Sequence, residues 1–161
     1  MFVIDADILS IFAKSDNLTL LRELFGNNAV MTPAIFQEIT APIDYGYEYP
    51  YTIIQTIKTV QMNEDAVVFY HEISQNKKLG RGECEAIAYC LNTSSTFITN
   101  DRKAREVASE YGITVISLPA LLKVIIKRNI RTREEVKKIL DKMKTSDNYT
   151  INPAVEREIF Q

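Results

Sequence analysis

With 161 residues, 46% of them hydrophobic and 25% charged, the chain has the make-up of a soluble globular protein and enough length to bury the core of one domain. No apolar run approaches the roughly 18–20 residues of a membrane span, and the N-terminal MFVIDADIL has neither the basic start nor the cleavage site of a signal peptide, so a cytoplasmic location is expected. The net charge of −2 hides an asymmetry, because Leu121–Lys144 holds nine Lys/Arg against three Asp/Glu: a solvated helical face explains this, and so does a surface for a phosphate backbone.

In chain order, Phe2–Asp5 is a short apolar run ending in an acid and predicts a first strand. Ile8–Lys14 and Leu18–Phe25 predict two short helices, the second capped by Asp16 or Asn17 and ended by Gly26. Ala29–Met31 predicts a second strand. Thr32-Pro33 then opens a helix to Thr40, since Thr is a good N-cap and Pro fits the first turn. Pro42–Pro50, with three tyrosines and Gly46, reads as a loop, and Tyr51–Val60, rich in Thr, Ile and Val, as an extended segment. Glu64–Ser74 has helical spacing, Asn76–Arg81 is a polar break, and Glu83–Leu91 is helical again. A strand over Thr96–Thr99, a helix over Arg102–Tyr111 closed by Gly112, and a strand over Ile113–Ile116 follow. Helices over Pro119–Lys127 and Thr132–Met143 form a basic extension from about residue 119, with a tail running to Gln161. Strands alternating with helices predict an α/β fold over 1–161, a parallel sheet with helices on both faces.

The residue types narrow the chemistry. His71 is the single histidine, and Cys84 and Cys90 the only cysteines. On one helix a six-residue spacing turns the cysteines roughly 120° apart, so they are expected unpaired, as packing residues in a reducing compartment. Histidine-based hydrolysis and the usual zinc sites are thereby disfavoured. The acids are more informative. Asp5 ends the first strand and Asp101 follows the Phe97–Thr99 strand by two residues, where open α/β sheets place their binding sites. On a helical wheel Glu83 shares a stripe with Ala86, Ile87 and Cys90, while Glu85 falls with Ala88, Tyr89 and Asn92 and is expected in solvent. Glu38 borders Ala34, Ile35 and Ile39 and is also expected to point inward. Each acid alone can be a cap or an ion-pair partner; Asp101 could simply pair with Arg105 one turn later. Together, converging carboxylates without His or Cys suit a hard divalent ion.

Four segments carry a resemblance. Phe2–Leu9 (FVIDADIL), Thr32–Ile39 (TPAIFQEI), Gly80–Ala88 (GRGECEAIA) and Ile98–Arg105 (ITNDRKAR) are similar, in order, to the motifs of PIN-domain nucleases. The chain from Ile113 onward, Tyr149–Phe160 included, resembles a branch of mostly uncharacterised prokaryotic members. The resemblance implies a Rossmann-like three-layer sandwich and a carboxylate pocket for Mg²⁺ or Mn²⁺ made by Asp5, Glu38, Glu83 and Asp101, with Thr99 or Asn100 as neighbours. Asp5 and Asp101 would be the central ligands; Glu38 and Glu83 would complete the shell directly or through water, or orient the attacking water. The chain departs from the family at Asp7, where Ser, Thr or Asn is usual; this adds a further candidate metal ligand.

The implied activity is hydrolysis of phosphodiester bonds, in single-stranded RNA first of all. Many members are toxins held by a protein antitoxin and others process RNA alone; a homodimer is also compatible with the resemblance. Two rival readings remain. Asp5-Ala6-Asp7 imitates the nucleophile motif of haloacid-dehalogenase-like phosphatases, although the later Ser/Thr, lysine and acidic pair have no convincing match. A non-catalytic PIN-like scaffold binding RNA or protein is the other.

Overall fold

Runs of β-branched and aromatic residues in this chain are brief, and those of β1, β2 and β5 end directly at a helix cap; the strands are only two or three residues long. The computed structural model describes residues 1–75 and 78–161. Strand β1 (Phe2–Ile4) leads into helices α1 (Ala6–Lys14) and α2 (Thr19–Phe25), and β2 (Ala29–Met31) into α3 (Pro33–Thr40) and α4 (Tyr49–Thr56). Strand β3 (Lys58–Thr59) precedes α5 (Glu64–Ile73) and α6 (Arg81–Thr93); β4 (Thr96–Ile98) precedes α7 (Arg102–Glu110). After β5 (Val115–Ile116) come α8 (Leu118–Lys127), α9 (Arg133–Ser146) and α10 (Pro153–Ile159).

All pairings are parallel, in the order β3-β2-β1-β4-β5. Val3 and Ile4 are neighbours whose side chains point to opposite faces, yet both are fully buried, as are Val30 with Met31 and Phe97 with Ile98. Helices therefore cover both faces, and the fold is the expected three-layer α/β sandwich. From β1 the chain progresses one way to β2 and β3, then returns to lay β4 and β5 on the other side. That reversal opens a crevice at the carboxyl ends of β1 and β4.

Several predicted elements are corrected. Tyr51–Val60 is not extended: Tyr49–Thr56 is helical, with Pro50 in its first turn, and only Lys58–Thr59 joins the sheet. Pro50, Ile53 and Ile57 are all buried at helical spacing, and burying that stripe outweighs the strand preference of Thr and Ile. The Pro42–Pro50 loop contains a 3-10 turn over Ala41–Tyr45, closed by Gly46 at φ 85°. Neither Asp16 nor Asn17 caps α2; Asp16 is left-handed and pairs with Lys142. The polar break at Asn76–Arg81 falls partly outside the described residues, at 76 and 77, and Arg81 is already in α6. The tail to Gln161 contains a further helix: Asn152 caps α10, which packs on α8 and buries Ile159.

Part of the basic excess is structural. Arg131 pairs with Glu23, Lys142 with Asp16 and Lys144 with Glu156, at 2.8–2.9 Å, which fastens α9 to the rest of the fold. Cys84 and Cys90 are free and buried, as their spacing implied.

The largest correction concerns Glu85. It is only 7% exposed, and its Oε1 accepts the Ala34 N–H at 2.7 Å. Helix α6 lies against α3, α5, β1 and β4 and has no solvent face at this position, since every residue from Cys84 to Cys90 is buried. The carboxylate meets the positive end of α3, a favourable place for a negative charge. Glu85→Ala should lower stability by roughly 2–3 kcal/mol in urea unfolding, because a buried N–H loses its charged acceptor. Glu85→Gln keeps an acceptor oxygen and should cost about half of that.

Candidate functional site

The crevice is built around the handover from β1 to α1. Asp5 keeps an extended backbone and caps α1, its Oδ1 accepting the Ala6 N–H at 2.8 Å. The pairing of Ile4 with Ile98, carried one residue further, brings Thr99 alongside Asp5. The Thr99 hydroxyl, fully buried, donates to Asp5 Oδ2 at 2.7 Å and accepts the Asp101 N–H at 3.1 Å. One hydroxyl thus fixes both the acid after β1 and the turn that carries the acid after β4. Asp101 is exposed and caps α7 through the Ala104 N–H at 2.8 Å; Arg105 forms no ion pair with it among the described residues. On the other flank, carrying the Val3–Val30 pairing forward two residues places Thr32 beside Asp5. Thr32 is fully buried, and its hydroxyl has no hydrogen-bond partner among the described residues.

Two more acids arrive from α3 and α6. Glu38 is exposed at the rim and not on the inward stripe of α3, but its Oε1 accepts the Gly82 N–H at 3.1 Å. Gly82 permits this: a Cβ there would overlap the Glu38 carboxylate and lie 3.0 Å from its Cδ. Glu83 is half-buried, and its Oε2 accepts the Gly80 N–H at 2.9 Å, satisfying the backbone donor at the start of α6. Helices α3 and α6 therefore cap each other's N-termini, Glu85 reaching Ala34 and Glu38 reaching Gly82. Asp7 is exposed on the first turn of α1.

The acids act on one another. Burial pushes the Asp5 carboxyl up to about 7; the Thr99 and Ala6 hydrogen bonds oppose this, and Asp7 and Glu83 reinforce it. Burial also raises Glu38, with Asp7, Glu83 and Glu85 adding to it against the Gly82 hydrogen bond. Glu83 is raised by burial and then by Asp101 and Asp7, against the Gly80 hydrogen bond. Among the described residues, the charges acting on these three are all acidic. As the side chains stand, no three His, Cys, Asp or Glu groups among the described residues converge tightly enough to grip an ion. The donor chemistry nevertheless fits a hard divalent cation: an all-oxygen acidic set beside a buried hydroxyl that lacks a partner among the described residues.

Asn100 turns to α8, its Oδ1 accepting the Leu118 N–H at 2.8 Å. His71 is exposed on α5. The unpartnered Thr32 and the enabling Gly82 had no signal in residue type alone; the second glycine of Gly-Arg-Gly-Glu was the only hint of a close approach.

A family model described as a PIN domain matches residues 1–161. Among curated proteins, none matches the chain.

The folded Asp5 pKa lies above its ordinary 3.8, so Asp5 favours folding most at low pH, and that contribution is lost as pH rises through about 7. In chelator, stability should decline between roughly pH 4 and 7, and Asp5→Asn should recover on the order of 4 kcal/mol at pH 8; a flat pH profile of the wild type in denaturant melts would contradict this. Gly82→Ala should dislodge the Glu38 carboxylate and weaken Mn²⁺ binding by calorimetry severalfold while leaving the melting temperature nearly unchanged, since only a flexible side chain must move.

Proposed function

We propose, because the chain belongs to the PIN-domain family, that it is a Mg²⁺- or Mn²⁺-dependent nuclease acting on single-stranded RNA. The fold is of nuclease type, and members of the family are generally nucleases that use divalent metal ions. The observation that supports the reading is the set of acids near the carboxyl ends of β1 and β4, close enough that they raise one another's pKa.

In this reading Asp5 and Asp101 are the central ligands, Glu38 and Glu83 complete the set, and Asp7 adds negative charge at the mouth. When bound, a divalent ion supplies an acidified water and neutralises charge on the phosphoryl oxygens, which is what a phosphodiester needs in the absence of a histidine base. The chain's own part is positioning. Thr99 holds Asp5 in one rotamer and fixes the backbone of Asp101. The Gly82 and Gly80 N–H groups hold Glu38 and Glu83 at their places on the rim. Asp5, its pKa raised to about 7 by burial, would give up its proton on taking up the ion. The reading extends to a toxin restrained by a protein antitoxin, for which growth arrest on expression, relieved by the product of an adjacent gene, is the expected behaviour.

Cleavage of a labelled single-stranded RNA should require Mg²⁺ or Mn²⁺ and stop in EDTA. Asp5→Asn and Glu83→Gln should each reduce it by more than about a hundredfold, beyond the usual cost of an outer-shell change, with the fold intact by circular dichroism. Glu85→Gln, which keeps an acceptor for Ala34, should cleave close to wild type at a temperature where it stays folded. Mn²⁺ binding without cleavage of any single-stranded nucleic acid would leave a binding scaffold and defeat the nuclease reading.

A further inference from the structure

Beside the acids lies a second cavity, of about 360 Å³, between α1 and the loop 147–150 that joins α9 to α10. It meets the acidic crevice at Asp7 and Asn100. Its floor is apolar, from Ile8 and Ile11, and its outer wall is Tyr149 and Thr150. The loop is held at several points. Asp147 Oδ1 accepts from Lys14 Nζ at 2.6 Å, Asn148 takes a left-handed turn at φ 51°, and Tyr149 is partly buried against the hydrophobic core. Asn100 is anchored to α8. The wall is therefore formed before any ligand arrives.

We propose that this cavity is a subsite for one nucleobase of the strand being cut, with the Tyr149 ring as its stacking surface. The inference rests on the nuclease reading for the strand's identity. The lining chooses base over phosphate: Asp7 is acidic, Asp147 and the neighbouring Lys14 offset each other, and among the described residues no Lys or Arg lines the cavity. A phosphate would be repelled, whereas a flat neutral ring fits between isoleucines and tyrosine. The volume sits at the lower end of the roughly 300–1,000 Å³ of small-ligand sites, room for one nucleoside and not for a run of bases. Carboxylates at the rim accept hydrogen bonds and donate none, so a base edge that turns an exocyclic amino group toward them is preferred to one, such as the O4 edge of uracil, that turns a carbonyl.

The test uses the full chain carrying Asp5→Asn, in chelator, binding an eight-nucleotide single-stranded RNA in which one abasic position is moved stepwise along the strand. One position should be sensitive, its abasic form binding about tenfold more weakly. Tyr149→Leu should weaken the intact RNA by the same factor and leave that abasic RNA unaffected, while Tyr149→Phe, which keeps the ring, should bind within about twofold of its parent. Thr150→Leu, at an exposed position, narrows the cavity without touching the core and should reproduce the loss if the Tyr149 variant fails to fold. Equal losses for intact and abasic RNA would mean a backbone contact and overturn the subsite, as would no loss in folded variants. Uracil binding as tightly as adenine at the sensitive position would overturn the amino-group preference. Wild-type cleavage unaffected at Tyr149 defeats the subsite alone; a Tyr149-dependent base effect without cleavage by the wild type defeats the nuclease reading alone; absence of RNA binding defeats both.

Discussion

A carboxylate buried at the meeting point of β1 and α1 is the constraint on which the rest depends. Asp5 is 6% exposed and is satisfied by one backbone N–H and one threonine hydroxyl. Neither donor is a full counter-charge, so its ionised form remains costly. A fold selected for stability alone would place an asparagine or an apolar residue there. The local arrangement works around the acid instead: Thr99 is set one residue past β4 so that its hydroxyl faces β1, and the backbone of Asp101 is tied to the same hydroxyl. Repulsion among the acids is thus built into the framework, a stability cost of the kind found at functional sites.

The pair α3 and α6 shows how similar chemistry serves two ends. Each helix offers the positive end of its dipole to an acid of the other. Glu85 meets Ala34 in the interior, where the bond braces the two helices. Glu38 meets Gly82 at the rim, where the carboxylate remains open to solvent and to the crevice. Burial separates a structural acid from a candidate ligand here, although both are glutamates accepting one backbone hydrogen bond.

The C-terminal helices are more than an appended basic surface. Ion pairs from Arg131, Lys142 and Lys144 spend part of the segment's charge on attachment, and Asp147 adds another link to α1 through Lys14. Arg133 and Lys137 of the segment, with Arg157 and the acids Glu134 and Glu156, line a groove between α9 and α10. The loop between those helices reaches the side of the acidic crevice, so the far end of the chain shapes the surroundings of residues near its start.

Much of this was legible from the residues alone. Apolar runs ending in Asp5, Thr32 and Thr99, interleaved with helical periods, were enough for a parallel α/β sandwich, and Gly26 and Gly112 marked helix ends where the chain does turn left-handed. The motif segments pointed to Asp5 and Asp101, which follow β1 and β4 and are tied to one Thr99 hydroxyl. Periodicity, however, says which residues share a face and not which faces meet a neighbour. Glu85 looked solvent-facing because its stripe includes Asn92, yet α6 is enclosed by α3, α5 and the sheet. Tyr51–Val60 looked extended because Thr and Ile favour strands, yet the stripe of Pro50, Ile53 and Ile57 found a partner in α1. Local composition determined the order of elements and the chemistry available to them. Only tertiary packing decided which carboxylates were taken from water, because desolvation is a property of the neighbours on every side and not of the residue's own helix.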